Sequence, residues 1–159
     1  MRRLLEFAKS LLGPRQRNAG VYQRPDCYIF HSGSSGSGGA TTCEPFLRLS
    51  LAATAEEVGE ATMRVLAASR KMPWPKDWDA VGKPLLEVAG VKSHNKLMQN
   101  TKYCYISSRR GQIELMPTRP FPGDRVAGSF IPDRNVFVAT GASLAEIGNA
   151  VIEGLARCE

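Results

Sequence analysis

TAEEVGEATMRVLA at residues 54–67 and SLAEIGNAVIEGLA at residues 143–156 are similar stretches that lie 89 positions apart. Each begins with Thr or Ser followed three residues later by Glu, the pattern of a capping box at a helix N-terminus. An apolar run precedes each stretch, FLRLSL at 46–51 and NVFVA at 135–139. Five positions are identical in the two copies: Glu57/Glu146, Gly59/Gly148, Ala61/Ala150, Leu66/Leu155 and Ala67/Ala156. The repeated element is therefore predicted to be a strand, a tight loop and a capped helix.

The two predicted helices also share the position of a glycine. Gly59 and Gly148 lie beside the apolar face of each helix, where glycine costs about 1 kcal/mol relative to alanine. A cost that recurs at the same place predicts that each helix approaches a sheet closely at its glycine. Two unrelated helices with a common cap would show a similar pattern, so the repeat is a hypothesis about the fold.

The positive charge is concentrated at the N-terminus. The formal net charge is +6, and residues 1–24 contain six basic residues against Glu6 alone. The remaining chain is almost neutral, whereas a nucleic-acid-binding fold usually carries a basic patch on its body. Residues 1–12 have the pattern of an amphipathic helix that ends at Gly13-Pro14, with Glu6 and Lys9 interrupting any secretory apolar region. We therefore expect a basic amphipathic extension over 1–24, a single domain over 25–159, and no direct contact with nucleic acid or membrane.

The cysteines favour a reducing compartment. The four residues, Cys27, Cys43, Cys104 and Cys158, form no Cys-x-x-Cys motif, and the chain is too long and too cysteine-poor for a disulfide scaffold. Cys27 and Cys104 lie in apolar runs. Buried free thiols and a cytoplasmic location are therefore expected.

The remaining pattern predicts an α+β domain with about five strands in a mostly antiparallel sheet, packed by helices. The Ser/Gly-rich segment 32–42 is expected to be a flexible loop, and residues 117–134, which contain four prolines, to be another loop. The other predicted elements are strands at 26–31, 46–51 and 136–139, helices at 77–89 and 93–99, and a hairpin at 102–107 and 112–116 that turns at Arg109-Arg110-Gly111.

Groups that could perform chemistry are scarce. Neither His31 nor His94 has a second ligand at metal-binding spacing, and the Ser/Gly segment lacks a phosphate-binding motif. We therefore predict no metal site, no cofactor, no catalytic residues and no enzymatic activity. Two alternatives remain open: a small hydrolase that uses His31 and the serine-rich segment, and a nucleic-acid-binding module that uses the basic N-terminus.

Tryptophan and arginine in segments without core patterning are candidates for a partner-binding surface, because both residue types are enriched at interface hot spots. These candidates are Trp74, Trp78, Arg109, Arg110, Arg119 and Arg125.

Several motifs in a fixed order resemble a known family. AEEVGEA at 55–61 is followed by Ser69-Arg70, then KLMQNTKYCYI at 96–106, GQIELMP at 111–117 and ASLAEIGNAVIEGLARC at 142–158. Each motif alone is ordinary helix or strand sequence, but the ordered set resembles the immunity proteins of bacterial contact-dependent growth inhibition over about residues 25–159.

This resemblance implies a cytoplasmic, non-catalytic protein. Its partner would be the C-terminal toxin domain of a cognate secreted effector, commonly a nuclease, which it would neutralise in a 1:1 complex. The shared motifs are expected to determine the fold, so the resemblance assigns no toxin-contacting residue.

Overall fold

The computed structural model describes residues 16–36, 39–120 and 128–159. Within these ranges the chain forms seven strands and four helices, and the predicted α+β class is confirmed. The elements are β1 (Arg17–Gln23), β2 (Tyr28–Gly36), β3 (Gly39–Leu49), α1 (Ala55–Ala67), α2 (Trp78–Ala89), α3 (His94–Met98), β4 (Lys102–Arg109), β5 (Gln112–Arg119), β6 (Ser129–Phe130), β7 (Val136–Ala139) and α4 (Leu144–Ala156).

All the strands form one antiparallel sheet in the order β3-β2-β1-β4-β5, with β6 and β7 both paired to the outer side of β5. The hairpin β1–β2 and the hairpin β4–β5 therefore meet at the centre of the sheet, where β1 pairs with β4. The hairpin β4–β5 turns at Arg110 and Gly111, both with positive φ (53° and 78°), as a two-residue type I′ turn requires.

The repeat is larger than the strand and helix predicted from the sequence. The unit β1-β2-β3-α1 occurs again as β4-β5-β7-α4, with the same register: Phe30 pairs with Leu47, and Leu115 pairs with Val136. Both capping boxes form, at Thr54 and at Ser143. The protein is thus built from two related halves, with α2 and α3 inserted between them.

Helices cover both faces of the sheet. On the first, the paired-helix face, α1 and α4 pack against each other and against the alternate strand residues that include Val21, Phe30 and Ile106. On the second, the groove face, α2 and α3 pack over residues that include Tyr22 and Ile29. Because side chains alternate along a strand, each central strand contributes to both cores.

The two repeated glycines contact a helix, and the predicted approach to a sheet was wrong. A Cβ atom on Gly59 would overlap the backbone carbonyl of Leu144, and a Cβ atom on Gly148 would overlap that of Ala55. The glycines are needed because α1 and α4 cross at their N-terminal turns.

Residues 32–42 do not form the flexible loop that their composition suggested. Strand β2 continues to Gly36 and β3 begins at Gly39, with Ser34 paired to Thr41. Glycine and serine weaken strand propensity, but they leave the backbone groups free to pair, and Ser32 and Ser34 are buried. Ladder hydrogen bonds and burial therefore outweigh local composition here.

Two other boundaries also differ from the sequence prediction. Strand β1 lies inside the segment 1–24 that was expected to precede the domain, and it is paired on both sides. The predicted loop 117–134 begins with the end of β5 and contains β6. The amphipathic helix predicted for residues 1–12 lies outside the described residues.

Two arginines attach α2 and α3 to the sheet. Arg48 of β3 donates to the carbonyl of Val88 (2.9 Å), and Arg24 donates to the carbonyls of Lys96 (3.1 Å) and Leu97. Cations are favourable at helix C-termini, where carbonyls lack partners. Asp26 bridges the two arginines, 3.0 Å from Arg48 and 3.5 Å from Arg24. This network fixes the wall of the site described next.

Candidate functional site

The two halves of the molecule differ in how their groove face is covered. Helix α2 packs mainly on β3 of the first half, whereas the described helix that packs on β5 and β7 is α4, which lies on the paired-helix face. Ile29 of β2 is fully buried, but Glu114, at the equivalent place on β5, is only half-buried, and the neighbouring Phe137 is 55% exposed. The second half therefore presents an open sheet face.

Where the open face meets α2 and α3 there is a concavity of about 520 Å³, which we call the aromatic groove. It is walled by Tyr22, Trp78, His94, Tyr103, Tyr105 and Phe130. The rings of Tyr105 and Phe130 meet edge to face with centroids 5.9 Å apart. Trp74 extends the wall, because its ring lies 5.0 Å from that of Trp78 in a T-shaped contact.

Three of the seven large apolar side chains that are exposed among the described residues lie at or beside this groove. Trp74, Trp78 and Phe130 are each more than half exposed, at 54%, 51% and 55%. Aromatic rings of this size, when left in water beside a concavity, mark an interaction site more often than chance exposure does.

Below the groove lies a buried polar cluster on the central strands. The hydroxyl of Tyr103 is 3.1 Å from Nε2 of His31, while Nδ1 of His31 is 2.9 Å from the carbonyl oxygen of Ser32. A carbonyl only accepts, so Nδ1 carries the proton and Nε2 accepts from Tyr103. Burial lowers the pKa of His31 to about 4. The histidine is therefore neutral at physiological pH and holds Tyr103 in place.

The local serine–histidine pair that a hydrolase would need is not formed by the serines whose side chains are described. Ser34 accepts a hydrogen bond from the amide of Thr41 (3.3 Å). Neither ring nitrogen of His31 contacts a serine hydroxyl, and the ring is only 3% exposed. The geometry assigns His31 a structural role.

The predicted partner-binding residues do not form one cluster. Trp74 and Trp78 lie at the aromatic groove. Arg109 and Arg110 lie at the tip of the β4–β5 hairpin, beside a depression of about 250 Å³ that Ser107 and Glu114 also line. Ser107 and Arg109 alternate in step with Tyr105, so the tip and the groove share the open sheet face.

The other two predicted arginines lie elsewhere. Arg119 is 3.6 Å from Glu159, which is also paired with Arg134 at 3.0 Å. This ion-pair cluster lies beside the C-terminus of α4. Arg125 lies outside the described residues.

Sequence reasoning missed most of the groove. Phe130 lies in the segment interpreted as loop, and Tyr22 lies in the segment interpreted as an extension. Two signals were present: the aromatic alternation of Tyr103 and Tyr105 in β4, and an apolar Phe130-Ile131 pair in a proline-rich segment. Neither signal indicates which side chains converge in space.

The residues that follow α1 and α4 have equivalent structural roles within the repeat. Ser69, after α1, accepts from the amide of Asn18 (3.0 Å) and donates to the carbonyl of Gly33 (2.7 Å). Cys158 takes the equivalent place after α4, and its thiol donates to the carbonyl of Tyr103 (3.2 Å). Both side chains attach a helix end to the central strands.

Other chemistry is limited in the described part of the chain. All four cysteines are buried free thiols, which confirms that prediction for Cys27 and Cys104. Residues 16–36, 39–120 and 128–159 contain no group of three or more His, Cys, Asp or Glu side chains placed to hold a metal ion. None of the described helices is long and apolar enough to cross a bilayer.

The described residues thus form a two-fold repeat around one antiparallel sheet, with an open concave surface on one face of that sheet. The chain belongs to the CDI immunity protein family, whose model matches residues 18–158. This match begins at the central strand β1 and ends at Cys158, so it includes both halves of the repeat.

Two solved structures have a similar fold. One is a Neisseria meningitidis protein of unknown function, with a TM-score of 0.78 and 22% identity, covering 92% of this chain and 97% of that chain. The other is a toxin and immunity complex, CdiA-CT/CdiI, from Yersinia pseudotuberculosis, with a TM-score of 0.74 and 21% identity. The similarity covers 91% of this chain and 98% of that chain. No curated protein is significantly similar in sequence.

Proposed function

We propose that this protein binds the C-terminal toxin domain of a cognate CDI effector in a 1:1 complex in the cytoplasm. The toxin is neutralised by this binding, without catalysis. Family membership supports the neutralising role. The similar Yersinia pseudotuberculosis structure is a complex of a toxin with its immunity protein. We further propose that the toxin is a nuclease, which is common among effectors of this class.

We assign toxin binding to the groove face, with the aromatic groove at its centre. The observation that carries this assignment is the exposure of Trp78 and Phe130 around one concavity, with the exposed Trp74 against Trp78. Buried tryptophan and other aromatic anchors dominate the energetics of protein interfaces. A stable interface needs about 800 Å² from each partner, and the open sheet face beside the groove provides room for it.

The hairpin tip would form one rim of this surface. Arg109 and Arg110 are both exposed and adjoin the open face, so they can contact acidic groups on the toxin. Charged residues at a rim steer association and contribute to specificity more than to affinity. Arg119 faces Glu159 and is left outside the proposed surface.

A co-expression experiment tests the function. The C-terminal domain of the large effector encoded beside this gene is produced in cells with and without this protein. We expect the domain alone to kill, co-expression to restore growth, and the two proteins to purify as a 1:1 complex. Continued killing in the presence of abundant folded protein would refute the proposal. The His31→Gln variant is a useful companion, because an inhibitor keeps protecting when that imidazole is removed and a His31-dependent hydrolase would not.

A further inference from the structure

The aromatic groove has an unusual charge composition for this protein. The chain contains 21 Lys and Arg residues against 15 Asp and Glu residues. Yet the fourteen described residues that line the groove include one acidic residue, Asp79, and no Lys or Arg. Among the described residues, the lining of this concavity therefore carries an acidic side chain and no basic one.

The Asp79 carboxylate has no partner within the described residues. It lies exposed in the first turn of α2, where any acid is favoured by the helix dipole. Its neighbour Asp77 has a different task, because its carboxylate caps the helix by accepting from the amides of Asp79 (3.0 Å) and Ala80 (3.1 Å). Helix capping is thus complete without the side chain of Asp79.

A second polar group in the groove also lacks a partner. Tyr22 of the central strand β1 lines the groove and is only 6% exposed, but its hydroxyl makes no hydrogen bond to any described residue. The neighbouring Tyr103 hydroxyl, in contrast, is bonded to His31. Burial raises the pKa of Tyr22, so the phenol stays neutral. The hydroxyl is therefore left available to a ligand in the groove.

These groups together match one kind of side chain. An arginine guanidinium has five donors and no acceptor, stacks on aromatic rings and pairs with carboxylates. A purely apolar side chain would leave the Tyr22 hydroxyl unpaired, and an acidic one would face Asp79. We propose that the aromatic groove receives an arginine side chain of the toxin domain, held between the rings of Trp78 and Tyr105 with Asp79 and Tyr22 as acceptors. This inference rests on the proposed function.

Binding measurements on matched variants test the assignment. The toxin domain encoded beside the gene, carrying an inactivating substitution, is titrated into the wild-type protein, Asp79→Asn, Tyr22→Phe and the control Glu87→Gln. Glu87 is an exposed acid on the same helix that does not line the groove. We expect Asp79→Asn and Tyr22→Phe each to weaken binding by about tenfold or more, and Glu87→Gln to bind like the wild type. All variants should melt normally, because neither altered group has an internal partner among the described residues.

The toxin side of the pair is identified by double-mutant cycles. Each exposed arginine of the toxin domain is replaced by alanine, and binding to the wild-type protein and to Asp79→Asn is compared. One of the toxin variants should bind the wild-type protein and Asp79→Asn with equal affinity, because it lacks the arginine that pairs with Asp79. Two results would overturn the proposed arginine site while leaving the proposed function intact. One is unchanged affinity of the toxin domain for Asp79→Asn and Tyr22→Phe, and the other is that no toxin arginine shows coupling to Asp79. Failure of the wild-type protein to bind the toxin would overturn both.

Discussion

Gly59 of α1 and Gly148 of α4 are related by the internal repeat, and each faces the first turn of the other helix. The backbone carbonyl of Leu144 lies where a Cβ atom of Gly59 would be, and that of Ala55 lies where a Cβ atom of Gly148 would be. Leu144 and Ala55 are themselves equivalent positions, 89 residues apart. The crossing of α1 and α4 is therefore approximately two-fold symmetric, and it joins the two halves of the protein on the paired-helix face.

Replacing either of these glycines with alanine should destabilise the protein. Alanine is the better helix former by about 1 kcal/mol, but the new methyl group meets the backbone of the other helix and forces the pair apart. We expect a net loss of about 2 kcal/mol or more for Gly59→Ala and for Gly148→Ala. Urea unfolding measures this loss. Gly141→Ala is the control, since no heavy atom lies within 4 Å of its added Cβ; equal stabilities for all three variants would contradict the contact.

The buried His31 should make stability depend on pH. Its folded-state pKa of about 4 lies below the ordinary value of 6.5, so the unfolded chain binds more protons between these values. The contribution is fully present above pH 6.5 and is lost as the pH falls toward 4. Linkage gives a total loss of about 3 kcal/mol. Urea titrations at several pH values would measure it.

The pH effect can be assigned to one histidine by substitution. His31→Gln keeps an acceptor for Tyr103 but has no titrating ring, so its stability should vary less between pH 6.5 and 4 than that of the wild type. His94→Gln, which removes the exposed imidazole on α3, serves as the control for the substitution itself. The histidine assignment is wrong if His31→Gln and the wild type lose stability in parallel.

The arginines at the hairpin tip should affect binding and leave the fold intact. Arg109 and Arg110 are exposed, so the double charge reversal Arg109→Glu/Arg110→Glu is expected to weaken toxin binding, mainly through a slower association rate. Thermal stability should be unchanged. Lys92→Glu, a reversal at an exposed loop residue, serves as the control. Surface plasmon resonance separates the rates, and an unchanged association rate would remove the tip from the proposed surface.

Truncation tests where the folded domain begins. Strand β1 pairs with both β2 and β4, so deleting residues 1–24 removes the middle of the sheet, and we expect no cooperative thermal transition. Deleting residues 1–15 leaves β1 whole and should preserve the transition. Circular dichroism melts decide between these outcomes. A cooperative melt of the shorter chain, starting at residue 25, would show that the sheet does not depend on β1.

Local signals in the sequence predicted much of the fold. The capping boxes at Thr54 and Ser143 marked two helix starts correctly because a cap is made by residues three apart in the chain. The Arg110-Gly111 turn was predictable for a similar reason, since a two-residue loop with glycine is typical of a hairpin. The repeat itself was visible at the helices, where sequence identity remains.

Features that depend on tertiary structure were not predictable. Strand β1 contains Arg17 and Asn18 in a basic segment, and only its pairing on both sides shows that it is central. The aromatic groove draws Tyr22, Trp78 and Phe130 from three distant parts of the chain. Its position follows from the insertion of α2 and α3 between the repeats, which covers one half of the groove face and leaves the other open.

The affinity of the toxin domain for groove variants tests the central claim most directly. Isothermal titration would compare the wild-type protein with Trp78→Ala and Phe130→Ala, using Ile152→Ala on α4 as a control at an exposed apolar residue remote from the groove. If the groove is the centre of the interface, both aromatic variants should bind about 30-fold more weakly or worse, while Ile152→Ala binds like the wild type and all the proteins melt normally. Wild-type affinity for both Trp78→Ala and Phe130→Ala would contradict the account and place the toxin on another surface.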